Sequence, residues 1–169
     1  MPTYENAVAL LKDPSRWEEA TRLLTELGDT RAVVPLLDAY ELPVEGGDKL
    51  CLAEALKFLL DVSVLDALAK AKDPHERRAA ARLRRLFAKP EYIDALERAL
   101  DDESPLVRHE ARLALAAQHQ NERWERAMAK MLDAPDGEGR ELARNRLLKR
   151  RTASARAILE AAASKGPHP

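Results

Sequence analysis

The sequence predicts an all-α protein built as an α-α superhelix of about five helix pairs plus a C-terminal helix. Three observations lead there. Leu, Ala, Arg and Glu dominate the chain, whereas aromatic residues make up 4% of it and glycines number six in 169 residues. Few β-branched or aromatic residues argue against a sheet. Apolar side chains recur at helical spacing in segment after segment, and Pro- or Gly-bearing turns separate the segments.

The first segment, Tyr4 to Lys12, places Tyr4, Val8 and Leu11 on one face. Asp13-Pro14 then reads as an N-cap with proline at the first helical position. A second helix follows from about Ser15 to Leu27, with Trp17, Ala20, Leu23, Leu24 and Leu27 on a stripe, and Gly28 is placed to cap its end. Asp29-Thr30-Arg31 opens a third, with Val33, Leu36, Leu37 and Tyr40 as its apolar set. The connection Leu42 to Asp48 carries two adjacent glycines and reads as a flexible loop. The fourth helix, Lys49 to about Leu60, is apolar nearly all round and is expected in the middle of a stack.

A fifth helix covers about Val62 to Lys72, and Asp73-Pro74 starts the arginine-rich sixth, with its seam Ala81, Leu83, Leu86 and Phe87. Lys89-Pro90 breaks it, and the seventh carries Tyr92, Ile93, Leu96 and Leu100. Asp101 to Leu115 is the clearest stretch: an acidic turn, Ser104 as N-cap, Pro105 at the first position, then Val107, Ala111, Ala114 and Leu115 on one face. The ninth spans about Asn121 to Leu132, the tenth about Glu138 to Arg150, and an Ala-rich eleventh about Thr152 to Ser164. Residues 1–165 are expected to form one domain, with a disordered tail at 166–169.

Every second helix aligns on a central alanine: Ala20, Ala53, Ala81, Ala111 and Ala143, at spacings of 33, 28, 30 and 32. A helix pair recurring at about thirty residues marks a stacked repeat, because one pair cannot bury its own apolar face. Residues 27–37, Leu-Gly-Asp-Thr-Arg-Ala-Val-Val-Pro-Leu-Leu, resemble the linker and first helix of HEAT-like repeats of the phycobilisome-lyase type. Asp102 through Leu115, with Val107-Arg108 and Ala111, resemble the acidic turn and second helix of the same repeat. The resemblance implies an armadillo-like, right-handed solenoid used for protein binding, with a few members acting as bilin lyases. It also implies an Arg three residues before the alanine, here Arg78, Arg108 and Arg140, forming Asp–Arg contacts between units; the chain departs from that pattern at Trp17 and Leu50.

Charge is unevenly distributed. Residues 1–66 hold 6 Lys/Arg against 13 Asp/Glu, and residues 137–169 hold 8 against 3, although the whole chain is at −1. Such separation suggests a charged partner. The single Cys51, in an apolar run, rules out an internal disulfide framework and fits a reducing compartment. No stretch approaches the ~20 apolar residues that span a bilayer, and no signal peptide is evident, so a cytoplasmic location is expected.

The arginines are the candidate binding residues. Arg78, Arg82 and Arg85 stand at i, i+4, i+7, while Arg108/Arg112 and Arg140/Arg144 are i, i+4 pairs. Stacking would align them as a basic stripe suited to carboxylates. The competing reading has Arg78, Arg108 and Arg140 bonded to the inter-repeat Asp73, Asp102 or Asp136. Nucleic acid is disfavoured, because the acidic first part would repel phosphates and no aromatics interleave the basic residues. His75, His109 and His119 lack metal-ligand spacing, and no cofactor motif emerges. Trp124, Met128 and Met131 read as core. The expectation is a non-enzymatic scaffold that binds an acidic protein on its second helices, as a monomer or weakly self-associating. The alternatives are a tetrapyrrole lyase and a nucleic-acid-binding helical repeat.

Overall fold

The computed structural model describes residues 3–44, 48–135 and 137–165. Among them the regular structure is helical: eleven α-helices and three short 3-10 turns. The Gly46-Gly47 loop and the 166–169 tail expected above lie outside the described residues. The chain forms two compact units, Met1–Lys70 and Ala71–Pro169.

The first unit holds α1 (Tyr4–Leu10), α2 (Trp17–Leu27), α3 (Val33–Glu41), α4 (Lys49–Leu59) and α5 (Val62–Ala69). Here α1 packs on α2, α3 packs on α4, and α2 meets α4. The start signal expected at Asp13 is realised, and Asp48, read from the sequence only as the end of a loop, caps α4 in the same way. Each accepts a backbone N–H from two residues ahead, satisfying a donor that the helix leaves orphaned. Gly28 sits at φ 63° and closes α2 through the carbonyls of Leu24 and Thr25, a left-handed conformation that suits glycine.

The second unit holds α6 (Pro74–Leu86), α7 (Ile93–Ala99), α8 (Pro105–Ala116), α9 (Glu122–Leu132), α10 (Gly137–Arg150) and α11 (Ala153–Ser164). Its helices stand in two rows: α6, α8 and α10 touch in series, and so do α7, α9 and α11. Helices α7 and α8 pair across the rows, as do α9 and α10. The face predicted for α8 is the face it buries, with Val107, Ala111, Ala114 and Leu115 all inaccessible to water. Ser104 takes the N-cap position of α8, but its hydroxyl makes no capping bond. Asp102 instead accepts the Ser104 N–H at 2.8 Å, an Asx turn one step earlier.

Two expectations need correction. Helix α4 is not buried all round, since Leu50 and Phe58 are 63% and 70% exposed. The repeat register also shifts. The N-caps Asp13, Asp48, Asp73 and Ser104 each lie seven residues before an alanine, at Ala20, Ala55, Ala80 and Ala111, and all four alanines are buried. The structurally equivalent alanines of the second and third pairs are therefore Ala55 and Ala80, not Ala53 and Ala81. Ala81 is buried as well, which explains why composition alone does not separate the two registers.

Candidate protein-interaction surface

Correcting the register reassigns the arginines. Four residues after each cap stand Trp17, Leu52, Arg77 and Arg108, and three before Ala143 stands Arg140. Arg77 Nη1 donates to the carbonyls of Ala71 and Lys72 at 3.0 and 2.8 Å. Arg108 Nη1 donates to the backbone carbonyls of Asp102 and Glu103 at 2.7 and 2.9 Å, and Arg140 Nη1 to those of Ala134 and Pro135 at 2.6 and 2.8 Å. One guanidinium thus ties each second helix to the turn that leads into it. Trp17 does the same with a different donor: its Nε1–H reaches the Leu11 carbonyl at 2.9 Å, the same six residues back. Trp17 is thus an apolar substitute for the repeat's arginine, buried in the core. Leu52 has no donor to offer and acts only by packing.

The contact between successive pairs in the second unit uses Arg77, which sequence reasoning passed over in favour of Arg78. Its Nε and Nη2 engage both oxygens of Asp102 at 2.9 and 3.0 Å, and Nη2 also reaches Glu103 at 2.9 Å. Forked pairing of this kind fixes orientation as well as charge. Burial pushes the Asp102 carboxyl up, but Arg77 and the Ser104 N–H outweigh it, so the group lies below its ordinary value. A lowered folded value stabilises the fold above the unfolded pKa, near 3.8, and that contribution fades as pH falls through the folded value. Asp102→Asn should therefore lower the melting temperature at neutral pH and cost less at about pH 3, below the unfolded value. Thermal unfolding of both proteins at the two pH values checks this.

Arg78 and Arg85 meet elsewhere. Both point from α6 at Glu110 of α8, Arg78 Nε at 3.4 Å and Arg85 Nη2 at 3.0 Å. The Glu110 side chain is 3% exposed, while both guanidinium side chains remain more than a third exposed. One buried carboxylate is thus shared by two cations at the α6–α8 contact, and Arg85 is held by a further interaction as well. Arg82, between them in sequence, is only 7% exposed, and both it and the half-buried Arg112 are held by further interactions. Arg144 on α10 is exposed and forms no ion pair among the described residues.

Among the described residues Arg108 and Arg140 spend their donors on carbonyls and not on carboxylates. Those bonds hold the side chains in place and leave their charge in the field of the unit. The three helices α6, α8 and α10 thus carry all seven arginines picked out from the sequence. They serve in three ways: two on their own turns, two on Glu110, and Arg82, Arg112 and Arg144 along the same row.

A second feature belongs to the first unit. An open groove of about 590 Å³ runs between α2 and α4, lined by Glu18, Thr21, Glu26, Glu54, Ala55 and Phe58 among others. Cys51 borders it, and burial raises its thiol above the ordinary value, which removes the thiolate a nucleophile needs.

The remaining chemistry-bearing residues have structural occupations. Trp124 is buried and donates to the Leu115 carbonyl at 2.8 Å, and Met128 and Met131 are buried beside it. Glu125, unremarked in the sequence, is a buried anchor that bonds Arg150 and Thr152. Burial raises its carboxyl, and these partners with Ser154 bring it below the usual range. His109 lies 3.7 Å from Glu138. Among the described residues no group of three or more His, Cys, Asp or Glu side chains could hold a metal ion, and no helix is long and apolar enough to cross a membrane.

Two rows of helices that touch in series and pair across the rows are the anatomy of a stacked repeat. Comparison with known proteins agrees. No curated protein matches the chain, but the family model for HEAT repeats matches residues 62–148, which is α5 through α10 and just over half of the chain. HEAT repeats commonly mediate protein–protein interaction and generally act as non-enzymatic scaffolds. The paired helices, the buried alanine seven residues after each cap and this match have one meaning: the chain belongs to the HEAT-repeat family.

Proposed function

We propose that this protein is a non-enzymatic scaffold whose α6–α8–α10 row binds an acidic segment of a partner protein. The observation that carries the reading is the pairing of two arginines, Arg78 and Arg85, with the single buried carboxylate of Glu110. Both guanidinium side chains stay more than a third exposed, so their charge is presented at the surface of the row, where an incoming carboxylate would meet it. Arg144 extends the row with an exposed charge that forms no ion pair among the described residues. Arg112 flanks it, while the buried Arg82 contributes through its field and the fixed Arg108 and Arg140 do likewise.

A fluorescently labelled oligo-glutamate peptide provides the test. Its anisotropy should rise with the protein at low salt, and binding should weaken steeply by about 0.3 M salt as the charges are screened. Arg144→Glu should weaken binding roughly tenfold, about 1.4 kcal/mol, with the thermal midpoint unchanged because Arg144 is exposed. Arg16→Glu, in the first unit and paired only with Glu19, should leave binding as it was. Equal loss from both substitutions would mean that overall charge, not this row, captures the peptide.

A further inference from the structure

We infer that the acidic surface taken by the end of this row is the α2–α4 groove of a second copy of the same chain. This rests on the acidic-partner reading above and names the partner. Three observations carry it.

The first is the groove. Its rim carries Glu18, Glu26 and Glu54, and only Arg22 opposes them, paired to Glu26 at 2.9 Å. Two negative charges are left over around a floor that includes Ala55 and Phe58. Phe58 is 70% exposed, and Leu50, two turns earlier on α4, is 63% exposed. Of the two, Phe58 lines the groove beside the carboxylates, and so exposed an aromatic with an acidic border suits an apolar knob with a basic collar.

The second is such a knob on the same chain. Leu148 of α10 is 57% exposed. Arg144 lies four residues before it on the same helical face, and Arg151 lies three residues after it, just past the last residue of α10. Arg144 forms no ion pair among the described residues. Arg151 is exposed, and it is the described non-glycine residue held at positive φ, 56°.

The third is the charge carried by the two parts of the chain. The acidic surplus is confined to residues 1–66 and the basic surplus to residues 137–169, 13 acids against 6 bases and 8 bases against 3 acids. Like ends therefore repel and unlike ends attract. Groove and knob are different surfaces, so every copy offers one of each and can engage a neighbour through either. Leu148 would seat beside Phe58, with Arg144 and Arg151 over the glutamates of the rim. So small a contact belongs to the transient class and depends on salt.

Sedimentation equilibrium or light scattering across a concentration series decides it. At low salt the average mass of the wild-type protein should climb above the monomer with concentration, and it should return to the monomer in about 0.5 M salt. A groove variant, Glu18→Gln with Glu54→Gln, should stay monomeric. So should an end variant, Arg144→Gln with Arg151→Gln. Mixed one to one, the two variants retain one good groove and one good end between them, and they should form a dimer and nothing larger. A wild-type protein that stays monomeric, variants that associate as wild type does, or a mixture that remains monomeric would each overturn the inference. The oligo-glutamate measurement separates the two levels. If the peptide binds while the protein stays monomeric, only the identity of the partner is wrong. If neither occurs, the acidic-partner reading falls as well.

Discussion

Trp17→Ala is expected to cost about 3–5 kcal/mol of stability in the first unit, the range for removing a large buried aromatic. Two terms contribute. The indole is wholly inside the core, so truncation leaves a cavity that neighbouring helices fill only in part. The Leu11 carbonyl also loses the donor that Trp17 Nε1 supplies at 2.9 Å. Trp17→Phe separates the two, because it retains most of the volume and removes the N–H, and about 1 kcal/mol should be lost. Urea unfolding followed by circular dichroism reads both. If Trp17→Phe is as stable as wild type, the indole merely fills space, and its equivalence to Arg77, Arg108 and Arg140 as a clamp on the preceding turn is wrong.

Glu110→Gln should produce two effects of opposite sign. Removing the buried charge leaves Arg78 and Arg85, both on α6, without the carboxylate of α8 that they share. Breaking a fully buried pair costs about 3–5 kcal/mol. Both arginines are more than a third exposed and can turn toward water, so about 2 kcal/mol is the expected loss. The same substitution adds one net positive charge to the α6–α8–α10 row, and oligo-glutamate binding should tighten several-fold. Lower stability with higher affinity is a combination that a purely structural role for these arginines does not produce. Weaker binding by the folded variant would instead mean that Glu110 positions the arginines, with its charge incidental.

Much of the architecture was open to reading from the chain itself. The caps Asp13 and Asp73, the terminator Gly28 and the buried face of α8 are local signals, each set by residues within one or two turns. What eluded such reading was register and pairing. Helix α6 has three consecutive alanines, Ala79, Ala80 and Ala81, and all are buried, so small size does not pick out the equivalent position. Distance from the N-cap does, because the turn geometry is repeated and composition is not. With that frame Arg77 takes the place given to Arg78, and its bond to Asp102 follows.

Glu110 was hidden for a related reason. A lone glutamate next to His109 on a helix looks solvated, and only the approach of α6 brings two arginines onto it. Arg82 shows the opposite limit. Its i, i+4 relation to Arg78 suggested a surface, yet the side chain is buried. The face of α4 was misjudged because apolar composition shows what a helix is able to bury, while Leu50 and Phe58 depend on what is there to cover them.

The most direct test of the central claim maps where an acidic segment lands. A titration of the isotopically labelled protein with unlabelled oligo-glutamate, followed by amide and arginine side-chain NMR shifts, reports every contact at once. The account predicts that the shifts concentrate on α6, α8 and α10, with the Nε–H signals of Arg85 and Arg144 among the largest. Shifts concentrated on α7, α9 and α11, or spread evenly over both units, would contradict it.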